Sequence, residues 1–506
     1  MKKSIVSKNN HQFFWGAVVS YATIAFNILS GLLYTPWMIR TIGDDQYALY
    51  TLALSVINLF LLDFGIGAAV TKFLSGYYAE NKYDEANRFM GVVYKVFFAI
   101  SALIAICLTV FFFFIDNIYL KLTMEEIHIF KRLFIIVSVY SVISFPFTTF
   151  NSVLMANERF ADVKLCNLIS KVLIVVLIIV CLLCNLGVYS LVVVNALINC
   201  IVIGIKYILI RRKTKQRANL RTWDNTTAKS LFSFTVWVTV KELAHRCIFT
   251  VMPTIIAALI GSKEITLFSL AATLEGYVYT FADAVNGMFM PRVSKLIRSE
   301  KVKEKLTKLM VQVGQFHVFT LGLIYVGFLC VGEAFVDVWM GEGYEAVYYS
   351  ALILIFPSLI DVPQQIARTT LLAKDIIKQQ SLIYAVMAIT NVVLAIVFLN
   401  WFGIIGASVA VCVSYLIRTA GMNYLYKKHL FIDLKGYFTK VYGKWIAVFI
   451  LTVVLQYIFS VFVKLTGVLE LVINGLFVCV VYIALYMLLH KELVKEILKR
   501  RSDDQH

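Results

Sequence analysis

The chain has 506 residues, of which 60% are hydrophobic and only 15% charged, with a mean hydropathy of +0.81. Soluble domains average about 25% charged residues, so no solvated surface can be built from this composition, and the roughly three soluble domains its length would suggest are excluded. Lys and Arg (47) exceed Asp and Glu (30), but the excess lies in short loops between apolar segments, where it sets topology and does not point to nucleic acid.

Apolar runs of about 20 residues, enough to cross the hydrocarbon, recur along the whole chain and predict an all-α integral membrane protein. Fourteen helices are expected, at 13–37, 47–70, 89–115, 131–154, 165–185, 187–210, 230–260, 265–290, 309–332, 346–372, 379–401, 403–426, 445–463 and 468–490. A transmembrane barrel would need short alternating strands. The first run is longer than a signal-peptide core and no small-residue cleavage site follows it, so it reads as a retained helix. Loops on the side of the N-terminus carry 34 Lys and Arg against six on the other side, which puts both termini in the cytoplasm. Trp15, Trp37, Trp401 and Trp445 fall near helix ends, as interfacial anchors do. Most of the nine cysteines lie inside apolar runs and read as small hydrophobes; Cys181 and Cys184 have CxxC spacing but no second pair, so neither a disulfide framework nor a metal site is expected.

The chain matches itself. Gly43–Ala53 (GDDQYALYTLA) aligns with Gly261–Ala271 (GSKEITLFSLA) at an offset of 218. At 217, Leu154–Ala156 falls on Leu371–Ala373 and Pro146 on Pro363; at 216, Gly187 falls on Gly403 and Arg211-Arg212 on Lys427-Lys428. The offset spans six helices, an even number, so the units share one orientation. Two parallel six-helix repeats related by an axis along the membrane normal are a transporter design. The expected organisation is an N-terminal lobe at 1–210, a basic cytoplasmic linker at 211–229, a C-terminal lobe at 230–428, and two further helices with a tail at 429–506.

Ionisable residues inside spans are functional candidates. Lys95 and Lys206 read as snorkelling to the interface. The seventh helix carries Lys241, Glu242, His245 and Arg246 near its middle. Glu242 and Arg246 are spaced to pair on one face, as are Lys241 and His245. The tenth helix has a stripe of Asp361, Gln364, Gln365 and Arg368 on one face, flanked by Pro357 and Pro363, which kink a helix and free backbone carbonyls. The fourth helix has Pro146 and Asn151 at the equivalent place, Asn151 matching Arg368. Glu275 and Asp283 on the eighth helix, Asp63 on the second and Arg418 on the twelfth complete the set. Carboxylates at lipid depth can exchange protons or bind Na+, so Glu242, Glu275, Asp283, Asp361 and Asp63 are the ion-coupling candidates. Lys241, His245, Arg246, Arg368, Arg418, Gln364, Gln365 and Asn151 are the candidates for a cationic, substrate-binding cavity, since Arg grips phosphate oxygens in bidentate fashion. No GxxxxGK[ST], HExxH or GxSxG motif is present, and no cofactor is expected beyond H+ or Na+ as the coupling ion.

Gly31–Arg40 (GLLYTPWMIR), Gly43 with Tyr47–Tyr50 (YALY) and Leu62–Gly67 (LDFGIG) together resemble the start of bacterial polysaccharide flippases, the Wzx or polysaccharide-transporter branch of the multidrug/oligosaccharidyl-lipid/polysaccharide exporter superfamily. The resemblance implies two six-helix lobes in a V, alternating access, and translocation of an undecaprenyl-pyrophosphate-linked oligosaccharide (an O-antigen, capsule or exopolysaccharide unit) across the cytoplasmic membrane. It also implies membrane lipids and polysaccharide assembly enzymes as partners, a monomer and no enzymatic activity. A multidrug cation exporter of the same superfamily is the alternative, disfavoured by a surplus of cations within the spans. A membrane-embedded glycosyltransferase or ligase would need a large catalytic outer loop, which is not evident.

Overall fold

The structure is a computed structural model in which residues 2–61, 66–221, 224–286, 302–374, 376–463 and 466–489 are described; among them there are helices and turns and no strand. In chain order the helices are α1 (Lys2–Ile42), α2 (Asp44–Phe60), α3 (Ile66–Ala79), α4 (Tyr83–Ile118), α5 (Met124–Ser144), α6 (Thr149–Ala156), α7 (Phe160–Leu183) and α8 (Tyr189–Lys213). They continue as α9 (Asn225–Phe249), α10 (Met252–Leu259), α11 (Lys263–Asn286), α12 (Val302–Trp339), α13 (Glu345–Ile355), α14 (Ser358–Asp361), α15 (Gln365–Ala373), α16 (Ile377–Leu430), α17 (Leu434–Phe462) and α18 (Gly467–Leu489).

Eleven of the described helices or helix runs are long and apolar enough to cross a membrane, or twelve when the bent pair α9–α10 counts as one span. Fourteen is therefore not the number that length and composition return, and the differences have local causes. The expected second helix is two, α2 and α3, of 17 and 14 residues, with 62–65 between them outside the described residues. The expected seventh bends by 41° between Phe249 and Met252. The eleventh and twelfth run together as the 54-residue α16, interrupted at Gly403 (φ 56°, ψ −139°). At 1.5 Å per residue a straight helix of that length would reach about 80 Å, far more than a bilayer, so Gly403 marks a turn between two helices. Its repeat partner Gly187 has φ 65° between α7 and α8. Both positions lie in the left-handed region that a Cβ disfavours, which accounts for glycine in both halves.

The chain forms two compact units: Met1–Ser269 with Ala388–Gly403, and Leu270–Met387 with Ile404–His506. The first therefore includes α9 and α10, beyond the 211–229 linker. In the first unit α1 packs on α7 and α2 on α5. In the second, α12 packs on α17 and α18. Gly322 of α12 permits that packing: a Cβ there would run into Trp445 Nε1 and lie 2.6 Å from Tyr482 Oη. Leu33, Phe113, Trp401, Phe462 and Val480 are largely exposed, as expected of faces that meet hydrocarbon.

Candidate functional site

Two proline breaks at matching repeat positions organise the polar interior. Pro146 interrupts the run from α5 to α6 with a 3-10 turn over Phe145–Thr148, and Pro363 does the same between α14 and α15 over Val362–Gln364. A proline at position i removes the N–H that would serve the carbonyl at i−4, here Val142 and Leu359. Each carbonyl is served by a hydroxyl from another helix. Ser101 Oγ of α4 donates to Val142 O at 2.6 Å, and Tyr442 Oη of α17 donates to Leu359 O at 2.8 Å. Tyr437 Oη adds a bond to Pro363 O at 2.9 Å. At the α9–α10 bend a side chain also serves backbone carbonyls near the end of α9: Asn391 Nδ2 donates to Cys247 O and Ile248 O, both at 3.3 Å. Polar backbone at lipid depth must be satisfied within the protein, and side chains on neighbouring helices satisfy it here.

In the first unit Arg246 caps the end of α2. Its Nη1 donates to Asn58 O (2.6 Å) and Leu61 O (3.0 Å), orphan carbonyls at the negative end of the helix dipole. The expected Glu242–Arg246 pair does not form, because α9 ends one turn beyond Arg246 and its guanidinium turns to α2. Arg246 also lines a polar pocket of about 430 Å³ with Thr71, Ser144, Thr148, Asn151 and Ser152. Asn151 therefore joins Arg246, on a helix the sequence did not connect to it. Lys241 and Glu242 are half-buried and His245 is exposed. Lys206 does not snorkel: it is 8% exposed and donates to Asn167 Oδ1 at 3.1 Å.

In the second unit Asp361 Oδ2 lies between two guanidiniums, 3.0 Å from Arg368 Nη1 and 2.7 Å from Arg418 Nη2. Gln365 Oε1 accepts from Arg368 Nη2, so the predicted stripe holds together across the break. Arg418 is 1% exposed and stacks over Tyr415 at 4.3 Å and Tyr384 at 5.3 Å, a cation–π arrangement out of contact with solvent. Gln364 is buried, with Nε2 unpartnered among the described residues. Glu275 is buried within electrostatic reach of Arg418. Arg418 is buried against Asp361 and two tyrosine rings, so it is not an open cationic wall here. Arg368, with its side chain 20% exposed, is the accessible member. Asp63 and the Asp283 side chain lie outside the described residues. The hydroxyls of Ser101, Tyr437 and Tyr442 and the amide of Asn391 were missed from sequence; for Ser101 and Tyr442 the usable signal was the carbonyl four residues before Pro146 and Pro363.

Charged side chains held at helix breaks within a membrane define the class: a multi-pass helical membrane protein with the interior of a transporter. Comparison with known proteins agrees. The family model described as polysaccharide biosynthesis protein matches residues 16–297, more than half of the chain, and the chain belongs to that family. The capsular polysaccharide biosynthesis protein CapF of Staphylococcus aureus is 25% identical over 173 residues, 34% of this chain and 43% of that protein, so the match spans less than half of that relative. Among solved structures, the lipid II flippase MurJ in an inward closed conformation is similar with a TM-score of 0.69 at 15% identity, covering 96% of this chain and 99% of that one. An inward-facing multidrug resistance MATE family transporter is similar with a TM-score of 0.62 at 12% identity, covering 82% and 98%. At such identities the likeness establishes the fold.

Proposed function

We propose that the protein is a flippase that moves a prenyl-diphosphate-linked oligosaccharide across the bacterial inner membrane, with both termini cytoplasmic. The observation that carries this reading is Arg246, a cation at membrane depth lining a polar pocket of about 430 Å³. Its Nη1 is committed to α2 carbonyls, while Nε and Nη2 have no protein partner among the described residues. A diphosphate can accept from them, and the hydroxyls and amide of Thr148, Ser152 and Asn151 suit its remaining oxygens. Family membership and the fold shared with a lipid II flippase support the substrate class. The MATE-like fold is equally compatible with drug export, but an arginine-lined pocket suits an anion better than a cationic drug.

Fourteen crossings follow if α2–α3 and α9–α10 each count as one and α16 as two. In the second unit, Arg368 exchanges Asp361 for a substrate phosphate, leaving Asp361 to neutralise Arg418. Glu275 and Asp361 are then the carboxylates able to couple that exchange to H+ or Na+. The protein acts as a transporter, monomeric, alongside polysaccharide assembly enzymes.

The test is flipping of a fluorescent prenyl-diphosphate oligosaccharide in proteoliposomes. Arg246→Gln and Arg368→Gln are each expected to reduce the rate at least tenfold while the protein still elutes as a single folded species, with melting lowered only by the loss of the Arg246 cap or the Arg368–Asp361 pair. Full activity of both variants refutes the site.

A further inference from the structure

The linker after α8 stays on the first unit for eight residues. Residues 214–221 cross the start of α4, where Asn87 holds them: its Oδ1 accepts from Arg217 N (2.6 Å) and Gln216 Nε2 (2.9 Å), and its carbonyl accepts from Asn219 N (2.9 Å). Tyr78 Oη donates to Gln216 Oε1. The strap passes so close to α4 that a Cβ at Gly91 would run into the Asn219 carbonyl oxygen, and only glycine admits that approach.

Beneath the strap is a cavity of about 280 Å³ between α4, α6 and α8. Its walls are aromatic, with Tyr94, Phe98, Phe150 and Tyr207, and its rim carries Arg211 and Arg217. Phe98 and Tyr207 are about half exposed, so the groove opens to the surroundings of the helices. Arg217 is used in holding the strap, donating to the carbonyls of Gln216 (2.6 Å), Arg211 (2.9 Å) and Thr214 (3.3 Å). Arg211 is oriented differently. Its Nε donates to Tyr207 Oη at 2.9 Å and its guanidinium stacks over that ring at 5.2 Å, while its two terminal nitrogens have no protein partner among the described residues. The last turn of α8 adds Arg212 and Lys213. An apolar slot ending in a fixed, half-satisfied guanidinium matches an amphiphile with a single anionic head.

We propose that this groove binds an anionic phospholipid of the cytoplasmic leaflet, with the phosphate on Arg211 and the first part of one acyl chain against Phe98, Phe150 and Tyr207. Charge complementarity selects this occupant over a zwitterionic lipid, and the aromatic walls select it over free phosphate, which would leave them uncovered. The bound lipid closes the open side of the strap and fixes the linker to its own unit. The site is separate from the Arg246 pocket and does not depend on the transport reading.

Photo-crosslinking of the purified full chain tests it, using phosphatidylglycerol with a photoactivatable acyl chain in lipid nanodiscs and peptide mapping by mass spectrometry. Labelling is expected on the peptides carrying Phe98 and Tyr207. Unlabelled phosphatidylglycerol should compete, and phosphatidylcholine should not. Arg211→Gln should weaken labelling about fivefold, the worth of one interfacial arginine at ~1 kcal/mol, and Arg211→Lys should restore most of it. Equal competition by phosphatidylcholine, or undiminished labelling of Arg211→Gln, overturns the proposal. So does displacement by a prenyl diphosphate under conditions where phosphatidylglycerol fails to compete, which would assign the groove to the transported substrate. The competition series needs only the wild-type chain, so it decides the matter even if Arg211→Gln does not fold.

Discussion

Asp361 provides the sharpest quantitative test, because one carboxylate oxygen serves two buried cations at 3.0 Å and 2.7 Å. Removing one partner of a buried pair costs about 3–5 kcal/mol, since the other charge is left uncompensated in low dielectric. Asp361→Asn strands Arg418, which is 1% exposed and cannot turn to water, so the upper part of that range applies. Arg418→Gln is milder, at about 1–3 kcal/mol, because Asp361 keeps Arg368. Arg368→Gln is milder still, since its side chain is 20% exposed and Asp361 keeps Arg418. The double variant Asp361→Asn/Arg418→Gln removes both charges and should be more stable than Asp361→Asn alone, with a coupling of about 1–3 kcal/mol. Reversible denaturant titration in lipid–detergent micelles measures all four. Additive losses, or an Asp361→Asn loss below about 0.5 kcal/mol, would show that the three side chains do not act as a buried triad.

The hydroxyl caps make a paired prediction. Tyr442→Phe and Ser101→Ala each leave one buried carbonyl without a donor and should cost about 1–3 kcal/mol, read by the same titration; losses near zero in both would mean the breaks do not depend on them. At the turns, Gly403→Val and Gly187→Val should each lose at least ~1–2 kcal/mol, because both positions have positive φ; thermal melting unchanged by either would rule out the strain argument at that position. Arg246→Lys keeps the charge but not the forked geometry that reaches Asn58 O and Leu61 O together. It should therefore transport better than Arg246→Gln and worse than wild type in the flipping assay, and equality with Arg246→Gln would show that charge is not what matters there.

Much of the architecture was legible because lipid enforces long apolar runs, and the repeat added the rest of the frame. The matches Pro146 with Pro363 and Gly187 with Gly403 located two broken helices and two turns from the residues alone. What could not be read was the partner of each polar group. The i, i+4 spacing of Glu242 and Arg246 implies a pair only while the helix continues and nothing else competes. Arg246 instead lies one turn from the end of α9 and within reach of two carbonyls on α2, a contact 188 residues distant in sequence. The snorkelling expected of Lys206 fails for the same reason, because Asn167 on α7 supplies an acceptor inside the bundle.

The missed residues share a physical logic that bears on how such a protein can move. A break in a membrane helix is permissible only if its carbonyls are served, and here the donors sit on other helices: Ser101 on α4, Tyr437 and Tyr442 on α17, Asn391 on α16 and Arg246 on α9. A cap of this kind contributes about 1 kcal/mol net, against several kcal/mol for leaving the carbonyl bare in hydrocarbon. The break is thus held firmly to some donor but only weakly to a particular one. A helix can swing at such a point by passing its carbonyl from one hydroxyl to another, or to water entering the polar pocket, without crossing a high barrier. That exchangeability also gives a definite role to α17, which lies outside the six-helix repeat. It carries both tyrosines that serve the Pro363 break, next to the carboxylate that holds Arg368 and Arg418.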